Sequence, residues 1–159
     1  MRDRRPISFM LVPSSHDDFG RLFELRLAAM RESLERIARF DRQRAFERFA
    51  STFRPEHTRL IICPDGQFMG CLAFGPSEGA LLLEHFYIFP EWQNKGLGSA
   101  VLLHFLDEAD SAGLPVRLEV LRQSDAARLY VRHGFVETHR GEWDIYYERA
   151  VQGAPNSSQ

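Results

Sequence analysis

Gly96 and Gly98 stand in the run Gln93-Asn94-Lys95-Gly96-Leu97-Gly98-Ser99, between an apolar stretch over 81–89 and an amphipathic one over 97–112. The order reads as a strand that delivers a glycine-rich turn onto a helix N-terminus, an arrangement that binds phosphate through backbone N–H groups. Glycine lets the main chain approach an anion with no Cβ in the way, and the helix dipole adds about half a positive charge at that end. The side chains of Gln93 and Lys95 and the hydroxyl of Ser99 are candidates for further contacts. Lys95 is the only lysine in the chain. The same glycines also suit a bare strand-to-helix turn with no ligand, so the turn alone leaves both readings open.

The strand before the turn carries two titratable groups, Glu84 and His85. An apolar setting raises a carboxyl such as Glu84 toward values useful to a general base. His85 needs no such help, since a free imidazole titrates near 6.5. Strand alternation predicts Glu84 with Phe86 and Ile88 on one face, and His85 with Tyr87 and Phe89 on the other. Either titratable group is equally readable as a paired polar group in a sheet.

The elements that must position these residues follow from periodicity and turn chemistry. Strands are expected over 7–12, 57–63, 67–74, 81–89 and 115–121, with a closing hairpin of 135–140 and 143–149 about Gly141. A helix opens after Pro13, with Ser15 and Asp18 spaced as a capping box. Its apolar stripe is Phe19, Leu22, Phe23, Leu27, Met30, Leu34 and Ile37. A second helix carries Phe46 and Phe49 after a break near Phe40 and Asp41, and a short one covers 125–133 before Gly134. Pro64-Asp65-Gly66 and the segment 75–79 are turns. The strand–helix–strand unit from 81 to 121 reads as a parallel crossover.

Composition narrows the class. The chain has 159 residues, 44% of them apolar, and a formal net charge of -2. That fits one domain over 1–152 with a polar tail at 153–159, and gives no field that would favour nucleic acid or a membrane surface. Cys63 and Cys71 have no metal-ligand spacing and read as reduced packing groups, so no metal is expected. Neither a secretory signal nor a membrane span is apparent, and a cytoplasmic location is expected.

Two segments together resemble the GCN5-related N-acetyltransferase (GNAT) family. The first, 90–98, matches its Q/R-x-x-G-x-G/A turn after the fourth strand. The second is Ala126-Ala127-Arg128-Leu129-Tyr130-Val131-Arg132-His133-Gly134-Phe135, similar to its A-x-x-L-Y-x-x-x-G-F segment. The resemblance covers about residues 7 to 150. It implies a mixed α/β sheet of six or seven strands flanked by helices, with the central strands 4 and 5 splayed apart. It also implies acetyl-CoA as acyl donor, with pyrophosphate on the amides of 93–99 and the pantetheine arm along Phe86 and Ile88. The Ile88 N–H becomes the oxyanion donor and Tyr130 the general acid near the thioester sulfur, although Tyr130 also suits a purely anchoring role. Where many relatives carry asparagine after the fifth strand, Gln123-Ser124-Asp125 places Ser124; it can cap the following helix, while its pantetheine contact is open.

The acceptor implied is an amine of a small molecule or peptide, attacked in a ternary complex with Glu84 or His85 as base. Arginines outnumber acids from 21 to 54, which suits an anionic acceptor or a solvated helix face. Phe40, Phe46, Trp92, Trp143, Tyr146 and Tyr147 suit either an acceptor pocket or the core. A non-catalytic acyl-CoA-binding regulatory module is the alternative, and a homodimer is compatible with either.

Overall fold

The computed structural model describes residues 7–36, 41–122 and 124–153; Ile37, Phe40, Gln123 and the tail from 154 onward lie outside the described residues. The elements are β1 (Met10–Pro13), α1 (Phe19–Arg36), α2 (Arg42–Thr52), β2 (Thr58–Ile62), β3 (Phe68–Ser77), β4 (Ala80–Ile88), α3 (Leu97–Ala112), β5 (Val116–Leu121), α4 (Ala127–Arg132), β6 (Val136–Arg140) and β7 (Asp144–Arg149). The strands form a seven-stranded mixed sheet in the order β1-β2-β3-β4-β5-β7-β6. The chain divides into two compact units, Met1–Ala73 with His85–Ala100 and Phe74–Glu84 with Val101–Gln159.

In the first unit the helices start where the sequence places caps. The Ser15 and Asp18 capping box forms, although residues His16–Asp18 wind as a 3-10 turn before α1 begins. Asp41 caps α2 by accepting from the Arg44 N–H at 3.2 Å. Leu22, Phe23, Leu25 and Leu27 of α1 meet Ala45 and Phe49 of α2, Leu60 of β2 and Cys71 of β3 in one buried cluster. β1, β2 and β3 pair antiparallel, with Met10 opposite Ile62 and Thr58 opposite Ala73.

In the second unit β3 runs on to Ser77, so the turn expected over 75–79 shrinks to Glu78 and Gly79, at φ 48 and 79. Two consecutive left-handed residues make the tight hairpin turn that matches strand twist. Pro76 is tolerated because it lies past Ala73, the last β3 residue paired with β2, where a missing N–H costs no bond to that strand.

α3 ends as its glycine predicts. Gly113, at φ 71, donates to the Asp110 carbonyl and Leu114 donates to Ala109, the two reversed bonds of a Schellman cap. β5 then runs parallel to β4. Their ladder holds only Leu81↔Val116 and Leu82↔Arg117, although β4 continues to Ile88 and β5 to Leu121. β5 pairs instead along its whole length with β7, from Val116↔Arg149 to Leu121↔Asp144.

Candidate active site

The turn before α3 has the backbone of an anion cradle. Asn94 and Gly96 adopt left-handed φ values of 61 and 88, with Lys95 between them. Alternation of left- and right-handed residues turns successive N–H groups toward one side. The first helical bond runs from the Ala100 N–H to the Gly96 carbonyl at 3.1 Å. The amides of Leu97, Gly98 and Ser99 therefore precede the helical ladder, where donors have no intrahelical partner. Residues 93–96 are exposed, whereas Leu97 is fully buried. Its side chain pins the helix start in the core while its amide stays at the turn. The Gln93 amide group donates back to the Ile88 carbonyl at 2.8 Å, tying the turn to the end of β4. Lys95 Nζ lies 6.0 Å from the Trp92 ring centroid, at the outer edge of cation–π range.

Gly70 was not singled out by its sequence context, yet it shapes β4. A Cβ at that position would overlap the Tyr87 carbonyl oxygen and crowd Ile88 Cα at 3.1 Å. Only glycine lets β3 press this closely on the stretch that holds Ile88. A lone glycine inside a strand run signals a bulge or a close backbone approach in general, but that Tyr87 and Ile88 are what approaches is decided by the fold.

His85 departs from the regular strand. Its φ of 49 interrupts the alternation expected through 84–89, which places a bulge-like break between Glu84 and Phe86. His85 and Tyr87 nonetheless share a side, because the ring Nδ1 and the Tyr87 hydroxyl are 3.1 Å apart. Thr52 Oγ1 of α2 sits 2.8 Å from Nε2 and also donates to the Arg48 carbonyl at 3.2 Å. Arg26 Nε of α1 donates to the Tyr87 hydroxyl oxygen at 3.1 Å. One set of proton positions satisfies every bond: Arg26 to Tyr87, Tyr87 to Nδ1, Nε2–H to Thr52, and Thr52 to the α2 carbonyl. Burial first, and then the charges of Arg26 and Arg54, hold the imidazole down at about 4, so it is neutral at pH 7. Beneath it, Cys71 Sγ donates to the His85 carbonyl at 3.1 Å, and burial raises that thiol to about 12. Cys71 is thus an inert packing group, as its spacing suggests.

Tyr130 is 5% exposed and belongs to α4. Gly134, at φ 94, ends that helix; Phe135 donates to the Tyr130 carbonyl at 3.1 Å and Gly134 donates to Val131 at 3.2 Å. The Tyr130 and Phe135 rings meet edge-on at 5.5 Å. The segment Tyr130 to Phe135 is therefore a Schellman cap with its hydrophobic contact, which explains the spacing Y-x-x-x-G-F in physical terms. Ser124 Oγ accepts from the Ala126 N–H at 3.0 Å, supporting the approach to α4.

The other aromatic candidates differ in burial, Phe46 being 42% exposed. Phe46 stands edge-on to Phe19 and Phe23, each at 5.2 Å, Tyr147 is 7% exposed, and Tyr146 stacks on His139 at 4.2 Å. Arg21 and Arg42 rest on the carboxylates of Asp18 and Glu24 at the surface. Among the described residues no group of three His, Cys, Asp or Glu is placed to hold a metal ion, and no helix is long and apolar enough to cross a membrane.

The fourth strand of a mixed α/β sheet thus leads through an exposed turn with two left-handed residues onto the N-terminus of α3. Residues 20–135 match the acetyltransferase (GNAT) family, and the chain belongs to it. No curated protein matches the sequence. Among solved structures it is similar to the PaiA N-acetyltransferase of Thermoplasma acidophilum in complex with coenzyme A, at 17% identity and TM-score 0.73 over 91% of this chain and 99% of that one. The ribosomal-protein-S18-alanine N-acetyltransferase of Escherichia coli aligns at 21% identity and TM-score 0.67, covering 94% and 98%. The N-acetylglutamate synthase of Neisseria gonorrhoeae, complexed with coenzyme A and L-arginine, aligns at 15% identity and TM-score 0.64, covering 93% of this chain and 34% of that one.

Proposed function

We propose that this chain transfers an acetyl group from acetyl-CoA to an amine of a small molecule or peptide, in the cytoplasm, by direct attack within a ternary complex. The observation that carries the reading is the turn at 94–99, whose left-handed Asn94 and Gly96 and unladdered amides suit a pyrophosphate. The coenzyme A in the complexes of PaiA and of the N-acetylglutamate synthase supports the donor's identity.

The acceptor nitrogen attacks the thioester carbonyl carbon and the C–S bond breaks. The Ile88 N–H takes the oxyanion of the tetrahedral intermediate. The Tyr130 hydroxyl gives its proton to the departing thiolate, since a phenol is protonated at neutral pH. Glu84, acting through water, and His85 are the two base candidates. Both ring nitrogens of His85 are engaged, by Thr52 and Tyr87, which suits a positioning role better than direct proton abstraction.

Calorimetry with coenzyme A and a thiol-release assay against an amine panel test the reading. Binding that weakens about tenfold or more in Gly96→Ala, where a left-handed φ of 88 strains any side chain, supports it. Absence of binding to the unaltered chain would refute it, and binding without thiol release from any amine would favour the acyl-CoA-binding module.

A further inference from the structure

Resting on the acyltransfer reading, the geometry points to a narrower acceptor class: we infer that the amine also carries a carboxylate, and that Arg26 of α1 recognises it. Arg26 Nη1 is the one buried side-chain nitrogen without a hydrogen-bond partner among the described residues. A guanidinium donor shut away from water and left unpaired is costly, and an arriving oxyanion removes that cost. Arg21 and Arg42 on the same helical layer behave differently, for each rests on a carboxylate of its own chain.

The rest of the guanidinium is fixed in advance. Its Nε donates to the Tyr87 hydroxyl at 3.1 Å and its carbon lies 6.0 Å from the Tyr87 ring centroid. Tyr87 is held in turn by His85 and, through it, by Thr52 of α2. A fork oriented in this way loses little freedom on binding, and planar carboxylates match it. Charge agrees with shape, because Arg26 and Arg54 are the two charged groups that act on His85 and both are cations. Tyr87 directly precedes Ile88, the proposed oxyanion donor, in the chain.

The test compares the proteinogenic amino acids with their α-carboxamides, short peptide amines and O-phosphoethanolamine as acceptors, in the thiol-release assay with saturating acetyl-CoA. The unaltered chain should prefer at least one carboxylate acceptor over its carboxamide by about tenfold to a hundredfold in kcat/KM, the range for a charge-assisted hydrogen bond. Arg26→Gln should erase that ratio and Arg26→Lys should restore part of it, while both keep coenzyme A affinity within a few fold by calorimetry. Equal use of carboxylate and carboxamide, preference for the phosphate or peptide amines, or a ratio that survives Arg26→Gln overturns the inference alone. Failure of the unaltered chain to bind coenzyme A overturns the acyltransfer reading and this inference with it.

Discussion

Tyr130 combines a packing ring with a phenol, and one substitution separates them. Phe at 130 keeps the edge-on contact with Phe135 and both cap bonds, which use only backbone atoms. Tyr130→Phe should therefore keep the helix cap, which circular dichroism would check, and bind acetyl-CoA as before, while acetyl transfer falls about a hundredfold or more with the phenol as the acid. An unchanged single-turnover rate would leave the residue with its structural role only. Gly70 is the opposite kind of residue, with nothing but its missing Cβ to contribute. Gly70→Ala forces β3 or β4 to shift at Tyr87 and Ile88, and should slow acetyl transfer more than it weakens donor binding. Circular dichroism would check that the fold survives. Tyr130 was legible because its motif is local, spanning six residues. The partners of His85 were not, since Thr52 lies 33 positions away and only packing brings them together.

Among the elements, caps were the most legible feature and buried polar pairs the least. Ser15 with Asp18, Gly113 and Gly134 each act where short-range rules place them, because a helix end must satisfy its orphan groups within a few residues. Gly134→Ala would strain a φ of 94 and drive a Cβ into the Gln152 side chain, so thermal unfolding should come several degrees earlier, corresponding to about 1–2 kcal/mol. By contrast, nothing local marks Asp110 and Arg149, 39 positions apart, as a bidentate pair. The Arg149 guanidinium reaches the two Asp110 oxygens at 2.9 and 3.1 Å and donates its Nε to the His133 carbonyl. Arg149 is only 6% exposed, so Asp110→Ala strands a buried cation and should cost about 3 kcal/mol in urea unfolding. A loss below about 1 kcal/mol would mean water takes over the pairing.

Whole-molecule stability should fall in acid in two stages. His85 titrates lower in the folded chain, at about 4 against an ordinary 6.5. Between those values the unfolded chain binds a proton that the folded one refuses, so stability is level above pH 6.5 and declines toward pH 4, by roughly 2–3 kcal/mol. Asp110 is held below its ordinary 3.8 by the Arg149 bond, so its contribution is present above that value and is lost as pH drops further. Urea midpoints measured from pH 7 to 4 should follow the first stage in the unaltered chain and flatten in His85→Gln; an unchanged slope would assign it to other groups. At this scale the sequence by itself determined the α/β class, the order of the elements, the glycine turn before α3 and the Tyr130 cap. Each rests on periodicity, backbone chirality or capping, which act over a few residues. Only the tertiary structure decided the short β4–β5 ladder, the left-handed break at His85, the close approach at Gly70 and the unpartnered Arg26 nitrogen. Those depend on which distant segments meet, and the burial and electric fields created by that meeting are properties of no single segment.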